Sequence, residues 1–414
     1  MRIAVVNSHH ARVGGAETYL DTVIPALAAA GHQIALLSEL DSPPSLPRIR
    51  LPAAAPAWCA SAMGMPRALA ALASWRPDVI YVHGMSDLPA AARIIESAPA
   101  VLFAHGYYGT CISGSKMFSA PRPQPCARRF GWRCLIQYYP HRCGGLNPLR
   151  MWSDYQKQNA RLALLGRYAA ILTSSAHMRA EFVRHGLPPQ RVHALRLPLA
   201  PARSPGTETA EAMPAENREL RLLYVGRMTR LKGGTIMLDA LALAAASLGR
   251  PLKVTFVGDG PDRVQWEQKS RRIQAENTNL QIEFSGWLNS ASLDQLMLDS
   301  DLLVVPSIWP EPFGLAGPEA GLRGLPAAAF AVGGIPEWLS DGVNGHLAPG
   351  DPPSAAGLAR AMVECVRDPA ELAQLRNGAR ELASRFDLDA HLNALLAILG
   401  QAASLQPAAR TPPR

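Results

Sequence analysis

Short apolar runs alternate with longer amphipathic stretches from the first residue of the chain onward. The runs at Arg2–Ser8, Gln33–Ser38, Asp78–His83, Ala100–His105 and Ala169–Ser174 have the apolar, β-rich composition of buried strands. Between them, Ala16–Ala30, Leu88–Ser97 and Met151–Tyr168 repeat apolar residues at helical spacing. Apolar strands separated by helices predict an α/β, doubly wound parallel sheet, with ligands at the carboxyl ends of the strands.

The pattern lapses after a further strand at Arg191–Arg196. Residues 199–219 have no apolar period and read as a linker. A second alternating series follows, with strands at Arg221–Gly226, Leu252–Val257, Gln281–Ser285 and Asp301–Pro306 and helical patterns over 352–385 and 387–399. The expected division is a Rossmann-like domain over 1–198, the linker 199–219, and a second Rossmann-like domain over 220–385. Residues 386–400 are expected to form a helix packing back on the first domain, and 401–414 a Pro-rich disordered tail.

Composition fits this division. A chain of 414 residues exceeds one ordinary domain, and with 48% hydrophobic and 18% charged residues it can bury ample core. A net charge of +8 favours anionic ligands or an anionic surface. The opening MRIAVVNSHH enters a strand directly, without the features of a signal peptide, and no apolar run approaches the roughly 18–20 residues of a spanning helix. The expectation is a cytoplasmic protein, peripheral at most on the inner face of the membrane. Six cysteines in so long a chain point to reduced thiols rather than a disulfide scaffold.

Candidate chemistry concentrates in Pro306–Leu347. Glu311 sits in a loop fixed by Pro310 and Pro312, and Glu319 at the start of a short helix closed by Gly324. A carboxylate there can bond sugar hydroxyls, while free backbone N–H groups of Phe313, Gly314 and Leu315 make an anion site. In YVGRMTRLKGG, Arg227 and Lys232 flank a turn before a helix, as suits a diphosphate. Gly14 and Gly15, at the first strand-to-helix turn, allow close approach of a phosphate, although the motif is not GxGxxG. His105 ends a strand at the ligand-binding edge of the first sheet. The DxD-like Asp299-Ser300-Asp301 lies between a helix and a buried strand and reads as capping or solvated rather than as a metal ligand.

Together VGRMTRLKGG, VGDGP, FSGW, PSIWPEPFGLAGPEA and VGGIPEWLSDGVNGHLAPGD, with GGAE and the strand ending at His105, resemble the family-4 glycosyltransferases. The resemblance implies the GT-B architecture, two Rossmann-like domains across a cleft, with an acceptor-side first domain and a nucleotide-sugar-binding second domain. It implies a retaining, metal-independent transfer from a UDP-sugar or GDP-sugar to a hydroxyl acceptor, with no cofactor. Arg227 and Lys232 would hold the diphosphate, approached by Gly15 and Gly14 from the opposite domain. Glu311 and the backbone at Phe313, Gly314 and Leu315 would bind the sugar, and Glu319 the ribose. His105 would line the site near the transferred sugar, and base recognition would fall near Trp287–Leu288. A glycolipid or surface-polysaccharide intermediate is the expected acceptor. On the residues alone, a nucleotide-sugar epimerase or hydrolase, or a non-catalytic sugar- or membrane-binding module, are the alternatives.

One segment stands apart from the family pattern. Residues 111–167 hold ten basic residues against the single acidic Asp154, interleaved with Phe118, Phe130, Trp132, Tyr138, Tyr139 and Trp152. This composition suits an anionic membrane surface, and nucleic acid is not the expected partner. Cys111, Cys126, Cys134 and Cys143 fall in it without the tight C-x₂₋₄-C pairs of structural zinc sites, so ordinary thiols are expected.

Overall fold

The computed structural model describes residues 1–41, 46–199 and 218–405. The first sheet is built from β1 (Arg2–His9), β2 (Gln33–Leu40), β3 (Ala57–Cys59), β4 (Val79–Val82), β5 (Ala100–Ala104), β8 (Ala170–Thr173) and β9 (Val192–Ala194). It is parallel throughout, in the order β3-β2-β1-β4-β5-β8-β9. A small antiparallel hairpin, β6 (Met117–Phe118) with β7 (Gln124–Pro125), sits outside it. The helices of this half are α1 (Gly15–Ala29), α2 (Ala60–Met63), α3 (Met65–Trp75), α4 (Leu88–Ser97), α5 (Arg133–Gln137), α6 (Pro148–Leu165) and α7 (Ala176–Arg184).

The second sheet comprises β10 (Leu220–Val225), β11 (Leu252–Val257), β12 (Leu280–Gly286), β13 (Leu302–Val305), β14 (Ala327–Phe330) and β15 (Gly345–Ala348). Its order is β12-β11-β10-β13-β14-β15, again parallel. Its helices are α8 (Gly234–Leu248), α9 (Arg263–Glu276), α10 (Ser290–Leu298), α11 (Ala316–Leu322), α12 (Ala355–Val366) and α13 (Pro369–Ala383), followed by α14 (Leu388–Ala403).

Strands covered on both faces need apolar residues at every position, and β1, β4 and β10 show this: Ile3, Ala4, Val5, Val6, Val79, Ile80, Leu222 and Leu223 are all buried. In each sheet the strand order reverses next to the first strand, between β1 and β4 and between β10 and β13. Ligands of such sheets lie outside the carboxyl ends of the strands at this reversal. The loops after β1, β4, β10 and β13 therefore define where a site forms, and they carry Gly14, His83, Arg227 and Glu311.

The last helix, α14, packs on α1, β4 and β5 of the first half. Its register is set by a chain of hydrogen bonds with one consistent proton arrangement. His391 Nδ1 lies 2.7 Å from the Arg196 carbonyl, which only accepts, so Nδ1 carries the proton. His391 Nε2 then accepts from the Tyr19 hydroxyl at 2.8 Å, and the Tyr81 hydroxyl donates to Tyr19 at 2.7 Å. Burial pushes His391 down to about 4, which keeps it in the neutral form this chain requires.

Two expectations change, and one lies beyond the described residues. The helix runs on through Ala403, because Gln401, Ala402 and Ala403 continue a good helix-forming stretch with Ala402 buried, so 401–403 do not belong to a disordered tail. The expected linker lies outside the described residues over 200–217, as does 406–414 of the expected tail. One stretch, Arg230–Leu248, does meet the length and hydropathy of a spanning helix, yet it contains the core helix α8, whose Met237, Leu238, Leu241 and Ala245 are buried.

Candidate functional site

The turn after β10 and the loop after β13 are built around each other. Gly233 takes φ +71°, and a Cβ there would lie 1.8 Å from the Pro306 carbonyl oxygen, so only glycine lets the two segments meet. The N–H groups of Ile308 and Trp309 both donate to the Leu231 carbonyl, at 3.0 and 3.2 Å. Lys232 is thereby held above Glu311: Nζ donates to Oε1 at 2.6 Å, and Ser307 Oγ lies 2.6 Å from the same oxygen. Glu311 is 4% exposed. A buried carboxylate needs such partners, and Lys232 also lies 5.6 Å from the centre of the Trp309 ring. Gly333 closes the loop from below, with φ +59° and a position a Cβ could occupy only 2.3 Å from the Glu311 carbonyl oxygen.

Beyond Glu311 the backbone N–H groups of Phe313, Gly314 and Leu315 donate no hydrogen bond among the described residues. The helix they precede, α11, spans seven residues and supplies a weaker dipole than a long helix would. Attraction for an anion rests also on these free donors, on Lys232, and on the start of the fifteen-residue α8, whose cap Gly233 has no side chain to occupy its N–H groups. Arg227 is exposed after β10 and has no carboxylate partner among the described residues.

Glu319 projects from the first turn of α11. Burial pushes its carboxyl up to about 7; the nearby Arg323 opposes this and Asp294 adds to it. Trp287, at the end of β12, is exposed with its indole face free to stack.

The first domain meets this loop directly. Tyr107 donates its hydroxyl to the Pro310 carbonyl at 2.6 Å, and Ser174 Oγ donates to the Pro312 carbonyl at 3.1 Å, so two bonds from across the cleft flank Glu311. Burial first, then the charges of Glu181 and Glu311, push the Tyr107 phenol up. Gly15, the first residue of α1, faces Leu315: a Cβ on it would come within 3.9 Å of Leu315 Cδ1. Its neighbour Gly14 is less available than expected, because its N–H donates to Glu17 Oε2 at 3.0 Å, while Asn7 fixes the other Glu17 oxygen.

His105 pairs with His83, Nε2 to Nδ1 at 2.9 Å, and stacks on Phe103 with ring centres 4.8 Å apart. Burial pushes His105 down to about 4, so it is neutral at pH 7. Both rings line a cavity of about 250 Å³ in the first domain, walled by Met85, Leu88, Leu102 and Leu165 with Tyr108 and Arg161. His105 thus lines a largely apolar cavity whose walls all come from the first domain.

Sequence reading missed Tyr107, Ser174, Ser307, Trp309 and His83. Ser307 lies four residues before Glu311, within the same motif, which is the signal that could have found it. Tyr107 and Ser174 act across the cleft and leave no local signal. Asp301 was expected to be capping or solvated; it is buried and takes hydrogen bonds from Arg218, Arg376 and the Arg221 N–H. Among the described residues no group of three or more His, Cys, Asp or Glu is placed to hold a metal ion. Cys111, Cys126, Cys134 and Cys143 are free thiols. Lys116 does not belong to the basic surface, since it is buried in an ion pair with Glu181 and donates to the Arg128 carbonyl at 2.7 Å.

Comparison with known proteins bears on the family and the fold. Residues 13–198 match the family described as Glycosyltransferase Family 4, and 207–382 match Glycosyl transferases group 1. A glycogen synthase of Mycobacterium tuberculosis is 29% identical over 94% of this chain and 91% of its own. A D-inositol 3-phosphate glycosyltransferase of Catenulispora acidiphila is 30% identical over 52% of each chain, and a 2-deoxystreptamine glucosyltransferase of Streptomyces kanamyceticus is 32% identical over 43% of this chain and 48% of its own. These last two matches span about half the relatives' length. Among solved structures, Anabaena HepE in complex with UDP and glucose superposes with a TM-score of 0.67 at 19% identity, covering 97% of this chain and all of that one. WaaG, a glycosyltransferase involved in lipopolysaccharide biosynthesis, superposes with a TM-score of 0.65 at 18% identity, covering 96% and 99%.

Proposed function

This chain belongs to the family-4 glycosyltransferases and has their GT-B fold, and from that premise we propose that it moves a hexose-type sugar from a nucleoside-diphosphate sugar to an acceptor hydroxyl with retention of anomeric configuration. One observation carries the reading: a cation, Lys232, and a buried carboxylate, Glu311, are locked together under free backbone N–H groups where β10 and β13 end. A sugar linked to a diphosphate presents hydroxyls to the carboxylate and charge to the cation.

Breaking the bond between the anomeric carbon and the phosphate oxygen leaves an additional negative charge on the nucleoside diphosphate. Arg227, Lys232 and the start of α8 supply the positive charge that meets it. Removing one such donor costs about 3–4 kcal/mol of barrier in comparable sites. In this reading fixed cations do the work a metal would do. Glu311, with the N–H groups of Phe313, Gly314 and Leu315, holds the sugar hydroxyls. Glu319 accepts from the ribose, Trp287–Leu288 meets the base, and Gly15 lets the diphosphate pass close to α1.

The acceptor enters from the first domain. His105 is neutral and its partner His83 orients it, so it serves as a hydrogen-bonding wall beside the sugar rather than as a cation. The acceptor proton leaves with the departing phosphate oxygen, on the same face that the acceptor attacks. Tyr107 and Ser174 hold the two domains together around Glu311 and restrict water, which limits hydrolysis of the donor.

A thermal-shift screen of UDP- and GDP-sugars, followed by transfer assays with the stabilising donor, tests the reading. UDP-glucose comes first, because HepE has been solved with it on the same fold. The expected result is one donor that raises the melting temperature of the wild type and is turned over, with turnover lost in Glu311→Ala and Lys232→Ala. Wild-type transfer rates in both variants remove the assignment of the site.

A further inference from the structure

Two helices outside the catalytic cleft carry apolar side chains to solvent. Around α5, Trp132, Ile136 and Tyr139 recur at the spacing of one helical face, and Trp132 and Ile136 are 61% and 60% exposed. The adjoining face of the same short helix is the one that packs: Tyr138 is buried with Ile112 and Phe130, and Leu135 lies against them. Next to it, Leu146, just ahead of α6, and Leu149, in its first turn, are 82% and 79% exposed, and the half-exposed Trp152 stacks on Tyr155. The helices pack on each other, so these residues belong to one structural unit. A helix that buries one apolar face and presents another to water has a second partner.

The polar residues of this unit are nearly all of one sign. Arg122, Arg128, Arg129, Arg133, Arg142, Arg150 and Lys157 are exposed, and among the described residues only Arg150 of these has a carboxylate near it, Asp154 at 3.9 Å. Arg133 lies against the Trp132 ring, 5.7 Å from its centre. Indole rings, aliphatic tips and guanidinium groups on adjoining amphipathic helices match a surface that is apolar within and anionic at its boundary.

We propose that this face docks on an anionic lipid bilayer, with Trp132, Ile136, Tyr139, Leu146, Leu149 and Trp152 entering the headgroup boundary and the seven exposed cations meeting lipid phosphates. The docked orientation has a consequence for the cleft. Helix α6 carries Arg161, Leu164 and Leu165 into the wall of the cavity beside His105. At a rise of 1.5 Å per residue, that wall lies about 14 Å along the helix from Trp152. The bilayer therefore holds the apolar cavity at short reach from its surface, as suits an acceptor with a lipid-borne apolar part. Docking itself is independent of the transfer reaction.

Vesicle flotation of the full chain tests this without any sugar donor. Vesicles of phosphatidylcholine alone are compared with vesicles containing phosphatidylglycerol, at low and high salt, for the wild type, for Arg122→Ala with Arg133→Ala, and for Trp132→Ser with Ile136→Ser. The substituted side chains are exposed, and circular dichroism of each variant checks that the fold is retained. Capture is expected on the anionic vesicles only and falls as salt rises. Each basic residue near such a surface is worth about a fivefold factor, so the double Arg variant binds about twenty-five-fold more weakly. The Trp and Ile variant loses the Trp132 share of the tryptophan quenching that bromine-labelled lipid produces in the wild type, and Trp152 keeps the rest. Equal capture by neutral and anionic vesicles, no capture by either, or unchanged capture of both variants overturns the proposal. So does self-association or binding to duplex nucleic acid through these residues in a chain that vesicles do not capture.

Discussion

Lys232 Nζ stands 2.6 Å from Glu311 Oε1, so the cation expected to hold the diphosphate and the carboxylate expected to hold the sugar are each other's partners. Each substitution therefore has two effects. Lys232→Ala removes a phosphate contact and also leaves Glu311, 4% exposed, with Ser307 as its remaining side-chain partner. Transfer should fall about 10²–10³-fold, and the melting temperature should drop. Glu311→Ala frees Lys232 for phosphate, so UDP binding should be kept or strengthened while transfer is lost. Calorimetric titration with UDP alongside rate measurements checks both. Weakened UDP binding in Glu311→Ala would show that the two groups do not compete.

The parts of this site that were legible beforehand are local ones. Pro310 and Pro312 announce a rigid loop around Glu311, and Gly233-Gly234 a tight turn before a helix, because backbone restrictions operate within a few residues. Strand and helix alternation was legible for the same reason. Tyr107 and Ser174 were not, since their partners are carbonyl oxygens some two hundred and one hundred and forty residues away, separated by 203 and 138 positions, and a hydroxyl gives no sequence hint of which carbonyl it meets. Lys116 was misread for a related reason. In a run of exposed arginines nothing marks the one cation that Glu181, on α7, draws into the interior.

Glu319 gives a pH dependence whose sign can be worked out. Its folded value near 7 lies above the ordinary carboxylate value of 4.5, so the folded state binds the proton more tightly than the unfolded chain. The stability it contributes is complete below about 4.5 and is lost as pH rises through about 7. His105 and His391, both pushed down to about 4, act oppositely, and their contribution is lost as pH falls from 6.5 to 4. Total stability mixes these trends, so the difference between wild type and Glu319→Gln isolates the carboxyl. That difference should change across pH 4.5 to 7 in denaturant unfolding series. If the carboxylate accepts ribose hydroxyls, donor affinity should also rise through about pH 7 in the wild type and stay flat in the variant.

Tyr19 and His391 lie 2.8 Å apart and clasp α14 to the first domain. Tyr19→Phe leaves His391 Nε2 and the Tyr81 hydroxyl each short of a partner in a buried setting, and the expected loss is about 1–3 kcal/mol of stability. His391→Ala adds a cavity and an unpaired Arg196 carbonyl and should cost more. The two losses should not add in the double variant, because both break one chain of bonds. Denaturant unfolding of the four proteins measures the coupling, and simple additivity would mean that the clasp is not a unit.

Gly15 separates folding from donor binding most cleanly. It is the first residue of α1, and its backbone is not in the left-handed region that would demand glycine. The space for a Cβ is adequate, with Leu315 Cδ1 at 3.9 Å the nearest atom. Alanine also loses less backbone freedom on folding, so Gly15→Ala should raise stability by about 0.4–1 kcal/mol. A diphosphate running alongside the start of α1 would meet the added methyl group, and KM for the donor should rise with little change in the rate at saturation. Gly15→Val fills the gap further and should raise KM more. The opposite signs are the test, because a purely structural glycine predicts lower stability and activity together. Unchanged KM in both variants would place the diphosphate path away from α1.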